Sequence, residues 1–308
     1  MRTALASFNA SEIAYVALAC VFGAFLTGAL GLGGVIILPA LLLTKDVNAR
    51  TGVASLFVAF TPAMALRVVI LRRTLPRDGF PWRAGTVTGI GAAGGSALAA
   101  TALLERTPRN TMMIVVGAVA ALAGTKDVVD ACLIVFNRRR RARERRTAED
   151  EVVVVETKGE SVTTRDDATW AASDVMENEL WAPSNTELLV LFIFGVLVGV
   201  LSVLTGTGGP IIFLPLAAIW KGSKVHRKVL LAVSAVQSVF LGVAAIISEV
   251  AIEQYPDVGL VLLIAPCAIL GVFVGVGVLR YASREALMFF MGVVLLGVGA
   301  FTIQQGSS

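Results

Sequence analysis

Two stretches decide the fold: TGALGLGGVIILPALLL at 27–43 and SVLTGTGGPIIFLPLAAI at 202–219. Aligned on the double glycine, Gly31 matches Gly206, Gly33 matches Gly208 and Gly34 matches Gly209. Ile36 and Ile37 then match Ile211 and Ile212, and Pro39 and Pro215 fall one residue out of step. Each stretch interrupts an apolar run (14–43 and 187–220) that is too long for one straight membrane span. Glycine breaks a helix and lets backbone come close to a ligand. Pro210 suits the first turn of a new helix, where its missing N–H removes nothing. The pattern predicts helix, non-helical turn, half-helix in both places, with the half-helices starting near Gly34 and Pro210.

Outward from these stretches, each is followed by a short linker with a lysine (Lys45, Lys221) and then three apolar segments. Those segments are 49–71, 82–104 and 111–136 in the first half, and 225–250, 258–279 and 286–303 in the second. The chain therefore reads as an all-α polytopic membrane protein made of two four-segment repeats. Its membrane repeats are 1–136 and 187–308, joined by a charged loop, 137–186.

Composition agrees. The 308 residues are 56% hydrophobic and only 16% charged, with a mean hydropathy of +0.81. Those values exclude a soluble enzyme, a disordered chain and a disulfide scaffold. Apolar runs of this length exclude a porin-like barrel, whose strands alternate. Half of the 22 acidic residues lie between Glu144 and Glu179. Cys20, Cys132 and Cys267 stand alone in apolar stretches, and His226 is the single histidine. Neither a metal site nor a catalytic triad can be assembled from that set, so no cofactor is implied and the chain does not read as an enzyme. Residues 1–13 precede an apolar run far longer than a signal-peptide core, so no cleaved signal is read.

Basic residues mark the cytoplasmic side. They follow segment two (Arg72, Arg73, Arg77, Arg83), segment four (Arg138 to Arg141, Arg143, Arg145, Arg146) and segment five (Lys221, Lys224, Arg227, Lys228). Both ends of segment five are thus base-rich, which a re-entrant element satisfies. By repeat logic segment one is re-entrant from the opposite face, giving six crossings and inverted repeats. Eight plain crossings with parallel repeats would leave one strongly basic linker outside. The basic linkers put the central loop on the cytoplasmic side, and the expected location is the cell (plasma or inner) membrane.

With Gly-x-Gly-Gly and a following proline in both halves of an eight-segment chain, the sequence resembles the TauE/SafE sulfite exporter family, also called the toluene sulfonate uptake permease family. Each motif here has two consecutive glycines where members often have three, with Val35 and Pro210 in the third place. The resemblance implies transport of small anions, chiefly sulfur oxyanions and organosulfonates such as sulfite, thiosulfate or sulfoacetate. It leaves open a homodimer.

An anion in a membrane needs compensation for lost water, and half-helix N-termini supply free N–H groups and a positive dipole end. The substrate-binding candidates are therefore Gly31, Gly33, Gly34, Gly206, Gly208 and Gly209, with the hydroxyls of Thr205 and Thr207. Leu30 and Leu32 occupy the threonines' places in the first half, so the two turns are not chemically equal. Ser55, Ser234 and Gln237 are further substrate-binding candidates within spans, with Ser238 beside them. Serines there commonly bond their own preceding turn. Lys126, Asp127 and Asp130 are unexpected charges in segment four. Asp127 and Asp130 are candidates for proton coupling, while Lys126 and Asp130, four apart, also suit an internal ion pair. Arg67 reads as a cation that snorkels to the interface near Arg72. The run VVVVE at 152–156 has the composition of a short strand.

Two rivals stand beside the transporter. Gly124-Thr-Lys-Asp127 faintly resembles the GxGD of intramembrane aspartyl proteases, but it lacks the second glycine and a partner aspartate. The other rival is a non-transporting scaffold or receptor subunit acting through the central loop.

Overall fold

The computed structural model describes residues 8–30, 34–44, 47–74, 80–103, 106–156, 181–205, 210–221, 225, 227–253, 255–278 and 284–307. Among these residues every regular element is helical. The first half holds α1 (Ala10–Leu30), α2 (Gly34–Leu43), α3 (Ala49–Thr74), α4 (Trp82–Leu98) and α5 (Arg109–Glu156). The second holds α6 (Asn185–Thr205), α7 (Pro210–Lys221), α8 (Arg227–Ala251), α9 (Val258–Val278) and α10 (Arg284–Ser307). Starts at 10, 34, 49, 82 and 109 are answered at 185, 210, 227, 258 and 284, an offset that stays between 175 and 178. Among the described residues, seven helices are long and apolar enough to cross a membrane.

The half-helices α2 and α7 begin at Gly34 and Pro210, where the glycine pattern puts them. The long arms α1 and α6 open with the same device. Asn9 Oδ1 accepts from the Glu12 N–H at 2.9 Å, and Glu12 Oε2 accepts from the Asn9 N–H at 3.0 Å. At the start of α6, Ser184 Oγ accepts from the Glu187 N–H at 3.3 Å, and Glu187 Oε2 from the Ser184 N–H at 2.8 Å. Both are reciprocal capping boxes, each satisfying two backbone donors that a helix start otherwise leaves open. α4 ends in a single π turn, Ala99–Leu103.

One element runs further than its hydrophobicity suggests. α5 continues unbroken to Glu156. The run Val152–Glu156 is therefore helix, not strand. The physical reason is local: no glycine or proline interrupts the chain between Gly124 and Gly159, and Arg, Ala and Glu between them favour helix. At 1.5 Å per residue, 48 residues reach about 72 Å, far beyond a ~30 Å hydrocarbon core.

Helices pack reciprocally across the halves. α5 packs most extensively on α10, α4 on α6 and α8, α1 and α3 on α9, and α3 on α8. Exchanging the halves turns α1–α9 into α6–α4, and α4–α8 into α9–α3; α5–α10 and α3–α8 map onto themselves. Glycines permit the close crossings and reveal direction. Gly117 backs onto Gly299 and Ile303, and Gly124 onto Gly292 and Leu295, so α5 and α10 run antiparallel. Gly242 backs onto Thr61, and Val68 and Leu71 cluster with Ala232, Ala235 and Val236, so α3 and α8 are antiparallel too.

By contrast, Gly271 meets Ala24 and Phe25 while Gly275 meets Phe25 and Ala29, which makes α1 parallel to α9. Ser55, early in α3, accepts a hydrogen bond at 2.9 Å from the Asp257 N–H just ahead of α9. α3 therefore also runs parallel to α9. With α1 and α3 pointing the same way, α2 between them brings the chain back. The outward faces carry bare Leu18, Leu122, Leu262, Leu270 and Phe273, the surface a lipid environment accepts. α8 is the most enclosed span, with 67% of its apolar window buried.

Candidate functional site

The two glycine turns themselves, Gly31, Gly33, Gly206, Thr207, Gly208 and Gly209, lie outside the described residues. What flanks them is described. Gly34 is the first residue of α2, Thr205 the last of α6, and Pro210 the first of α7. One turn before each break sits a buried hydroxyl. Thr27 Oγ1 donates to the Gly23 carbonyl at 2.9 Å, and Ser202 Oγ is buried with no hydrogen-bond partner.

The remaining polar candidates divide. Ser55 is occupied by the Asp257 N–H and ties α3 to the start of α9. Ser234 Oγ donates to the Leu231 carbonyl at 2.9 Å, and Ser238 Oγ to the Ser234 carbonyl at 2.8 Å. Both hydroxyls are spent on their own helix. Gln237 is different. It is fully buried on α8, and neither its amide nitrogen nor its amide oxygen has a hydrogen-bond partner.

On α5, Lys126 Nζ lies 2.6 Å from Asp130 Oδ2, with the two side chains 28% and 38% exposed. Asp127 is half-buried and also engaged.

Arg67 overturns its sequence reading. It does not snorkel: it is 1% exposed, among the largest fully buried side chains. Its Nε and Nη1 have no hydrogen-bond partner. The cause is positional. α3 extends to Thr74, so Arg67 lies seven residues, about 10 Å, inside the helix end, and α8 and α9 cover α3 there. Register places it. From the Thr61–Gly242 contact, Arg67 lies six residues onward in α3, and Gln237 five residues back in antiparallel α8. Rises of about 9 and 7.5 Å in the same direction bring the two to one level, near the middle of α8. Two buried, unpartnered polar side chains thus share a level of the central helix pair.

Arg67 and Glu249 are the only buried charged residues among those described. Glu249, 12 residues from Gln237, is about 18 Å away along α8 and does not neutralise Arg67. An uncompensated arginine in a span is expensive, and such residues mark pathways for ions and substrates. Among the described residues no group of three or more His, Cys, Asp or Glu could hold a metal.

Comparison with curated proteins and with solved structures found no match. Residues 179–308, from just ahead of α6 through the whole of the second half, match the family model described as Sulfite exporter TauE/SafE.

Proposed function

We propose that the chain is a membrane transporter of small anions, sulfur oxyanions or organosulfonates, working by alternating access around its two glycine-rich helix breaks. One observation carries this: matched helices of the two halves, α3 with α8 and α5 with α10, run antiparallel, each half containing one broken helix. Inverted repeats of that kind let one packing be exchanged for its mirror across the membrane, opening a central site first to one face and then to the other. The returning arm α2 supports a re-entrant path for the first broken segment, and the repeat extends that path to α7 in the second. Their N-termini point free N–H groups toward the breaks, where negative charge is favoured. The family match over residues 179–308 supports sulfur-containing anions in particular. On this reading the repeats are 1–136 and 187–308, the 137–186 loop is cytoplasmic, and no covalent chemistry is involved.

The test is flux in proteoliposomes loaded with sulfite or a simple alkanesulfonate such as methanesulfonate. Purified protein should accelerate efflux saturably over empty vesicles. Removing residues 157–178, beyond α5, should leave that flux in place; a scaffold acting through its loop would show no flux before or after the deletion.

A further inference from the structure

We propose that Arg67 and Gln237 hold the transported anion, and that the single fixed charge of Arg67 selects monoanions over dianions. The proposal rests on the transporter reading and names the residues and charge state of its site.

Three features carry it. First, both side chains are at least nine-tenths buried, and Arg67 Nε and Nη1 and both amide atoms of Gln237 lack hydrogen-bond partners. A planar guanidinium offers a fork of donors suited to two oxygens of an oxoanion, and the Gln237 amide N–H₂ offers two more. Second, the pair sits at one level of α3 and α8, one helix from each half, so an anion between them bridges the two parts that must move relative to each other. Third, the charge arithmetic is short. Arg67 is the only buried cation among the described residues, and Gln237 is neutral. A monoanion leaves the site neutral. A dianion leaves one uncompensated negative charge in a low-dielectric interior, which is strongly disfavoured. A sulfonate has three equivalent oxygens and one charge, and its carbon end needs no polar partner.

The same arrangement makes a prediction that a structural arginine would not. In the empty protein Arg67 is an unpaired buried charge. Removing it should therefore stabilise the anion-free protein rather than destabilise it.

The experiment uses full-length protein with methanesulfonate and sulfate as probes, which share a tetrahedral sulfur bearing at least three oxygens and differ in charge. Thermal unfolding in detergent and proteoliposome flux are both read. Wild type should be stabilised by methanesulfonate and should transport it at least about tenfold faster than sulfate at equal concentration. Arg67→Gln should raise the anion-free melting temperature and abolish the methanesulfonate shift. Arg67→Lys should keep the charge but lose the fork, weakening affinity by about 10- to 100-fold. Gln237→Leu should raise KM with little change in maximal flux. If wild type moves no anion, the transporter reading fails. If wild type transports and Arg67→Gln transports equally well, or Arg67→Gln unfolds more easily than wild type without anion, the assignment of Arg67 fails while the transporter reading stands. Equal flux of sulfate and methanesulfonate overturns the monoanion selectivity.

Discussion

Replacing Gly299 by alanine tests the helix pairing more sharply than any change in the apolar core. A Cβ at position 299 would lie 2.7 Å from the Gly117 carbonyl oxygen, 2.8 Å from the Ala121 nitrogen and 3.1 Å from its Cα. These neighbours are backbone, so no side chain can rotate away. Ordinary contact begins at 3.4 Å, so α5 and α10 must separate by about 0.7 Å. A gap of that size forfeits a quarter to a half of each affected van der Waals contact, and α5–α10 is the most extensive pair among the described helices. Overpacking of this kind costs about 1–3 kcal/mol. Two positions away on the same helix, Gly297 has nothing within 4 Å of its added Cβ. There alanine should be neutral or gain up to about 1 kcal/mol of helix propensity. Both substitutions share that propensity gain, so the two single-methyl variants should differ by the overpacking cost alone, about 1–3 kcal/mol, or some 2–6 °C in melting temperature in detergent. An unchanged Gly299→Ala protein, or a Gly297→Ala protein harmed as much, would refute the antiparallel α5–α10 contact and the direction argument built on it.

Other perturbations address separate parts of the molecule. Asn9→Ala and Glu187→Ala each open a capping box, and each should lower stability by about 1 kcal/mol in thermal unfolding; indifference to both would mean the two boxes do not hold the long arms. Asp130→Asn removes a partly exposed ion pair, so it should cost under about 1 kcal/mol and leave the pH profile of flux unchanged. A flattened profile would instead assign proton coupling to that carboxylate. Because α1 and α9 are parallel and Gly271 meets Ala24, Cys20 and Cys267 face each other one turn earlier. In a Cys132→Ser background with a protease site inserted among residues 157–180, a short bifunctional thiol reagent should keep the cleaved halves together on a denaturing gel. Fragments that separate after complete thiol modification would contradict that crossing. Thr205→Val with Thr207→Val should change the ranking of sulfite against organosulfonates in flux, since those hydroxyls distinguish the second break from the first; identical rankings would remove the threonines from the site.

The helical class and the positions where the half-helices begin were legible because they rest on local features. Glycine at fixed spacing, proline after glycine and apolar runs of span length act within one or two turns. Helix ends were less legible where nothing local stops the chain. α5 passes from apolar to Arg-rich sequence with no breaker, and hydrophobicity alone cannot mark an end that backbone geometry does not impose. Arg67 was misread for a different reason. Its neighbours Arg72 and Arg73 do reach the surface, and a window on one helix gives Arg67 the same character. Burial is a property of what stands around α3, namely α8 and α9, which are distant in sequence.

That misreading bears on how a symmetric frame produces a single site. By the helix-start offset of 178 between α3 and α8, the counterpart of Arg67 is Ala245 and the counterpart of Gln237 is Ala59. Both counterparts are buried alanines. The frame is therefore nearly twofold, while the polar groups are not. Twofold packing supplies two conformations of similar energy, because each half can adopt the arrangement of the other. On the proposed mechanism, placing the charge on one half and the amide on the other would supply one binding position rather than two, at the boundary between the halves. Had both alanines been polar, two sites would compete for substrate across the same boundary. A double exchange, Arg67→Ala with Ala245→Arg and Gln237→Ala with Ala59→Gln, moves the site to its mirror position. If the frame is equivalent in both directions, the exchanged protein should bind methanesulfonate where either half of the exchange alone does not.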